Sequence, residues 1–155
     1  VPATIHSTIR TATIYKVALV KDSTVKYNYD KISSPNVAVR ILDSIFADAD
    51  REQLVVLFLD TKNKIVGVDI VATGTLNSCN VSIPNIFKAA IICNAASIIV
   101  SHNHPSGDPT PSPEDVRVTE NLVQAGKLLD IAVLDHIVIG EDGRYVSLKE
   151  RGLGF

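Results

Sequence analysis

The chain lacks the positive excess that nucleic-acid binders carry: 15 lysines and arginines stand against 17 aspartates and glutamates. Composition therefore lends no support to a dedicated DNA-binding role. Cysteine is scarce, with only Cys79 and Cys93. Cys93 sits in an apolar helical run and reads as a buried thiol, which fits a reducing cytoplasm; one disulfide stays open as the alternative. No apolar stretch approaches the length of a membrane span, and no basic segment precedes a signal-like hydrophobic run, so neither membrane nor secretory routing is expected. Several motifs are missing. No glycine-rich spacing follows a strand, which excludes a Rossmann nucleotide site, and no His-Glu-x-x-His marks a zincin. The absence of Cys-x-x-Cys excludes a zinc deaminase. There is no internal repeat and no long linker.

What remains is ordinary for a globular domain: 155 residues, 46% hydrophobic and 21% charged. Residues 1–32 form a β lead-in and residues 33–155 the main domain. Val1 to Arg10 show no periodicity, Thr11 to Val20 read as a strand, and Thr24 to Tyr29 as a second short one. Ser34 followed by Pro35 opens a helix with Val37, Ile41, Leu42, Ile45 and Phe46 on one face, ending near Asp48 to Asp50. Leu54–Leu59, the turn Asp60–Asn63 and the return Lys64–Thr73 make a hairpin. Gly74 to Ser78 is a turn-rich connection. A helix then starts at Pro84, with Ile86, Phe87, Ala90, Ile91 and Asn94 at helical spacing.

Ala95 to Val100 is short, apolar and β-branched, the pattern of a buried strand, and Ser101-His102-Asn103-His104 continue it. Residues i and i+2 of a strand share a face. His102 and His104 thus aim at one point, with Asn103 facing away. Two convergent imidazoles suit a divalent transition metal, and zinc asks for at least one more ligand. Asp115 is the candidate: Ser112 caps a helix, Pro113 takes its first position, and the aspartate falls in its first turn. Three protein ligands would leave a fourth position for water, as in catalytic zinc sites. The plainer alternatives are a pair of surface histidines and a capping box in which Asp115 only bonds the Ser112 amide.

The intervening loop, with Gly107 and several prolines, lacks the Gly-Lys-Ser/Thr ending of a phosphate loop, and Asp108 and Glu114 make it acidic. The letters His-Asn-His are a coincidence with the nuclease motif of that name. After the helix, which runs to about Leu129 with Val116, Leu122, Val123 and Leu128 apolar, Asp130 to Ile139 form another buried strand. Arg144 to Ser147 are a short final one. Gly126 allows close packing. His136, in that apolar strand beside Asp135, reads as a hydrogen-bonded supporting group rather than a ligand. His6, in the unpatterned arm, has no role. The architecture expected is α/β, one mixed sheet flanked by helices.

His102-x-His104, ten intervening residues and Asp115, with Ser112 three before it, resembles the JAMM motif of JAB/MPN-domain metalloproteins. The wording from Ser101 to Ser112, together with Leu59–Asn63, Gly74–Ser78, Asn94–Ala96 and Leu134–His136, is similar to the RadC-like branch, from about Ser33 onward. The resemblance implies a cytidine-deaminase-like layered fold and Zn2+ held by His102, His104 and Asp115. It further implies a zinc-dependent metallopeptidase or isopeptidase activity on a peptide or protein substrate.

Glu52, which by itself reads as a solvated strand-end carboxylate, matches the glutamate these proteins use to shuttle a proton. Ser112 matches a residue that steadies the oxyanion. One departure stands out. RadC-like chains typically carry His-Pro-Arg-Glu where this one has Ser82-Ile83-Pro84-Asn85, so those charges are missing. The helix-hairpin-helix module that often accompanies the family is not seen. Two other functions remain in view: a DNA-repair-associated role, carried by the RadC name, and a non-catalytic metal-binding scaffold. Oligomeric state is not readable.

Overall fold

The computed structural model describes residues 10–74 and 81–155. His6, Cys79 and most of the connection expected at 74–78 lie outside them. The elements run α1 (Pro35–Phe46), β1 (Gln53–Leu59), β2 (Ile65–Thr73), α2 (Ile83–Ile92), β3 (Ser97–Asn103), α3 (Pro113–Leu129), β4 (Ala132–Ile139) and β5 (Tyr145–Ser147). Each helix starts the same way. Ser34, Ser82 and Ser112 accept a hydrogen bond from the amide three residues on, and a proline sits in the first turn of each. Ser82 and Pro84 thus set the start of α2.

The five strands form one mixed sheet in the order β2-β1-β3-β4-β5. β1 pairs antiparallel with β2 and β3, β3 pairs parallel with β4, and β4 pairs antiparallel with β5. The parallel pair is joined by α3, the long crossover that parallel strands require. Helices cover both faces. Val55, Leu57, Leu59 and Ile99 pack toward Ile41, Leu42 and Phe46 of α1. Leu54, Val56, Phe58, Ile98 and Val100 pack toward Ile86, Phe87 and Ala90 of α2 and Val118 and Leu122 of α3. β1 and β3 are therefore buried on both sides, which is why they read as continuous apolar runs. This is the expected α/β architecture.

Several local expectations differ. Residues 10–29 contain no helix or strand, and Ile14, Tyr15 and Val20 are 95%, 82% and 90% exposed. β-branched composition favours extended backbone, but a strand exists only where a neighbour supplies the ladder. Ile91 and Leu128, placed on apolar helix faces, point largely to solvent at 53% and 88% exposure. Cys93 is a free thiol, partly rather than fully buried against the α2 side of the core. Asp130 does not open β4; it caps α3 in the left-handed conformation, φ 55°, its N–H donating to the Gly126 carbonyl. Gly126 does pack closely: a Cβ there would lie 2.5 Å from the Ile131 carbonyl oxygen. Among the described residues, no helix is long and apolar enough to cross a membrane.

Candidate metal centre

Antiparallel pairing sets Leu54 of β1 opposite His102 of β3, so the mouth of β1 lies beside the end of β3. Glu52, two residues before Leu54, is thereby delivered to the histidines. α3 begins after the loop that follows β3 and brings Asp115 in from its first turn. The four side chains meet: one ligand atom each from Glu52, His102, His104 and Asp115 lies within 4.8 Å of all the others. His102 and His104 Nε2 stand 3.0 Å apart. Asp115 Oδ1 is 3.3 Å from the first and its Oδ2 3.6 Å from the second. Glu52 Oε1 is 4.0 Å from His102 Nε2. Such a group could hold a metal ion.

The capping box exists as well. Ser112 Oγ accepts from the Asp115 amide at 3.1 Å, and the Ser112 amide donates to Asp115 Oδ2 at 2.7 Å. The two readings of Asp115 are compatible, because the box uses Oδ2, which also lies 3.6 Å from His104 Nε2, and leaves Oδ1 turned to His102. Burial pushes the Asp115 carboxyl up, but the His102 and His104 imidazoles beside it, with the Ser112 amide, outweigh that and hold it far below the usual carboxylate range. Asp115, its Oδ2 3.6 Å from His104 Nε2, pushes that imidazole upward. The pocket thus favours positive charge between the two rings, which a shared proton or a metal cation can supply.

Both rings are held from behind. His104 Nδ1 lies 2.7 Å from the Asp108 carbonyl oxygen, so that nitrogen is the donor and Nε2 faces the site. His102 Nδ1 lies 2.8 Å from His136 Nε2, and His136 Nδ1 lies 2.6 Å from Thr119 Oγ1. His136 is a supporting group, as expected. Burial, reinforced by the neighbouring His102 ring, pushes its pKa down to about 3, so it is neutral at pH 7. Its direction depends on an irregularity. The register between β3 and β4 shifts between Ile98 and Ile99, leaving Leu134 unpaired, so Asp135 faces α1 and His136 faces α3.

Asn103 also contributes. It faces away from the ligands, yet its Oδ1 accepts from the Gln53 amide at 2.8 Å and its Nδ2 donates to the Arg51 carbonyl at 3.2 Å. These bonds bracket Glu52, whose own carbonyl accepts from Gly74 at 2.7 Å. No spacing rule in the sequence points to this clasp. Beside His104 opens a cavity of about 430 Å³, bounded by Asp43, Phe46, Pro105 and Gly140 to Gly143.

The chain is 54% identical over 125 residues to a UPF0758 protein of Roseiflexus castenholzii, covering 81% of this chain and 53% of the relative. A UPF0758 protein of Chloroflexus aggregans is 50% identical over 133 residues, 86% of this chain and 57% of its own. One from Methanosarcina mazei is 45% identical over 141 residues, 91% and 61%. The chain spans little more than half the length of these curated relatives. The family model described as RadC-like JAB domain matches residues 32–153. Because that match takes in every helix and strand of the sheet, the chain belongs to the RadC-like JAB domain family, within the JAMM-related superfamily.

Proposed function

We propose that this domain is a zinc-dependent amide hydrolase of metallopeptidase or isopeptidase type, acting on a peptide or protein. The observation that carries the reading is the convergence of two Nε2 atoms, Asp115 and Glu52 at one point. Two imidazoles and one carboxylate are a donor set that zinc accepts, and His102, His104 and Asp115 would be its ligands. When bound, the ion supplies Lewis acidity, polarising a carbonyl and bringing the ionisation of water toward neutral pH.

The remaining chemistry belongs to the chain. Glu52, partly buried at the rim, takes a proton from the attacking water at its carboxylate and returns it to the departing amine nitrogen. Ser112 serves two ends without conflict. Its oxygen accepts from the Asp115 amide, which leaves its hydroxyl proton to donate to the developing oxyanion. Asp43 and Asp142 around the neighbouring cavity would repel a phosphate backbone. That surface favours a peptide over DNA.

The test is metal content by mass spectrometry on wild type and His104→Ala, purified identically without added metal. About one zinc per chain, lost in the variant, is the expected result. Hydrolysis of a peptide-amide library by wild type and not by zinc-replete Glu52→Gln then separates an enzyme from a scaffold. Wild type that takes up no zinc when it is supplied would overturn the proposal.

A further inference from the structure

We propose that Thr119 and His136 are positioning residues that lock His102 into its Nδ1–H tautomer and so keep its Nε2 lone pair turned to the metal centre. One atom in this chain of contacts, the Asp115 carbonyl oxygen, can only accept. Thr119 Oγ1 lies 2.6 Å from the Asp115 carbonyl oxygen, so the hydroxyl proton must point there. Its oxygen is then an acceptor toward His136 Nδ1, also at 2.6 Å, and His136 carries its proton on Nδ1. His136 is 1% exposed and its ring nitrogens meet a hydroxyl and another imidazole, neither of them an anion that would hold a second proton, so the ring is neutral. Protonated at Nδ1 it accepts at Nε2, and His102 Nδ1, 2.8 Å away, must be a donor. Its other nitrogen is left with a lone pair facing His104 and Asp115.

The opposite polarity fails on the same geometry. A Thr119 hydroxyl turned to His136 would leave two oxygen atoms 2.6 Å apart with no proton between them. His102 would then be protonated on Nε2 and closed to metal. The three side chains are at most 1% exposed, so water cannot substitute for a missing partner. The run of bonds begins on the backbone of Asp115 and ends on the ring of His102. Two ligands from different elements, α3 and β3, are therefore set relative to each other by residues that touch no metal.

Part of the test is independent of the zinc reading. Long-range nitrogen–proton correlation spectra of the 15N-labelled, metal-free chain report which ring nitrogen of each histidine carries its proton. Nδ1–H on both His102 and His136 is expected; Nε2–H on neutral His102 would overturn the proposal whether or not zinc binds. The second part rests on the zinc site. Thr119→Val keeps the shape and removes the acceptor, and zinc titrated against a competing chelator should bind roughly 10–100-fold more weakly. Thr119→Ser should restore both affinity and tautomer. A folded Thr119→Val that binds zinc as tightly as wild type would refute the positioning role. If that variant does not fold, the wild-type spectrum still decides.

Discussion

His102 and His104 carry the same ring two residues apart on the same face, yet the fold supports them in opposite ways. His102 is fully buried, backed by two further buried side chains and flanked by strands on both sides. His104 lies just past the end of β3, partly exposed, its amide bonded to the Ile139 carbonyl and its ring leaning on the carbonyl of a loop residue, Asp108. The buried ring belongs to the core as much as to the site. The outer ring borders the cavity lined by Phe46, Pro105 and Gly140. A candidate metal centre built this way has a fixed inner wall and an outer wall that can adapt.

Replacing the inner ring should have the largest effect. His102→Ala removes a proposed ligand, opens a cavity and strands the His136 Nε2 in a dry environment. Roughly 2–4 kcal/mol of stability should be lost even without metal, together with zinc binding. Urea unfolding of the metal-free variant checks the first part and metal analysis the second. His104→Ala should abolish zinc binding equally while changing metal-free stability by less than about 1 kcal/mol. Equal stability losses in the two variants would erase the distinction between inner and outer walls.

Asn103 sharpens the comparison from the strand between the two rings. Asn103→Ala should leave zinc stoichiometry intact, because neither ligand leans on it. It should lower turnover about tenfold by loosening the backbone that presents Glu52, since misplacing a reacting group is costly. Zinc analysis beside peptide turnover reads both. Zinc loss in this variant would mean that the clasp serves the metal rather than the base.

Much of this site was legible because local rules carry it. Strand alternation put His102 and His104 on one face, and Ser112 with Pro113 announced the helix that brings in Asp115. The family resemblance, not a spacing rule, singled out Glu52. The turn at Asp60 likewise follows from its side chain, which accepts from the Lys62 and Lys64 amides. What stayed hidden depends on partners distant in sequence. The face of His136 is decided by a one-residue irregularity against β3, and a period-2 reading of β4 cannot see it. Asn103 reaches residues 50 and 52 positions away. The β-branched stretch at 11–20 shows the converse: local preference without a neighbouring strand made no strand. Ile91 and Leu128 repeat that lesson for helices, where spacing marks a face but not how far the neighbouring layer covers it.

The smallest expected effect tests the outer wall itself. Asp108 holds its loop by accepting from the Thr110 amide at 2.9 Å and the Thr110 hydroxyl at 2.7 Å through one carboxylate oxygen. The bond to His104 uses the Asp108 backbone carbonyl instead, which any residue supplies. Asp108→Ala therefore loosens the turn without deleting the ring's partner. The loop is pinned independently, since the Gly107 carbonyl accepts from the Glu141 amide and from Arg144. Zinc affinity should fall only a few-fold and stability by about 0.5–1 kcal/mol. That is well short of the loss expected from Thr119→Val behind the inner ring. Chelator-competition titrations of the two variants side by side make the contrast direct. If Asp108→Ala weakened zinc as strongly as Thr119→Val, ring orientation at the outer wall would depend on loop stiffness. An adaptable outer wall would then be the wrong description of this centre.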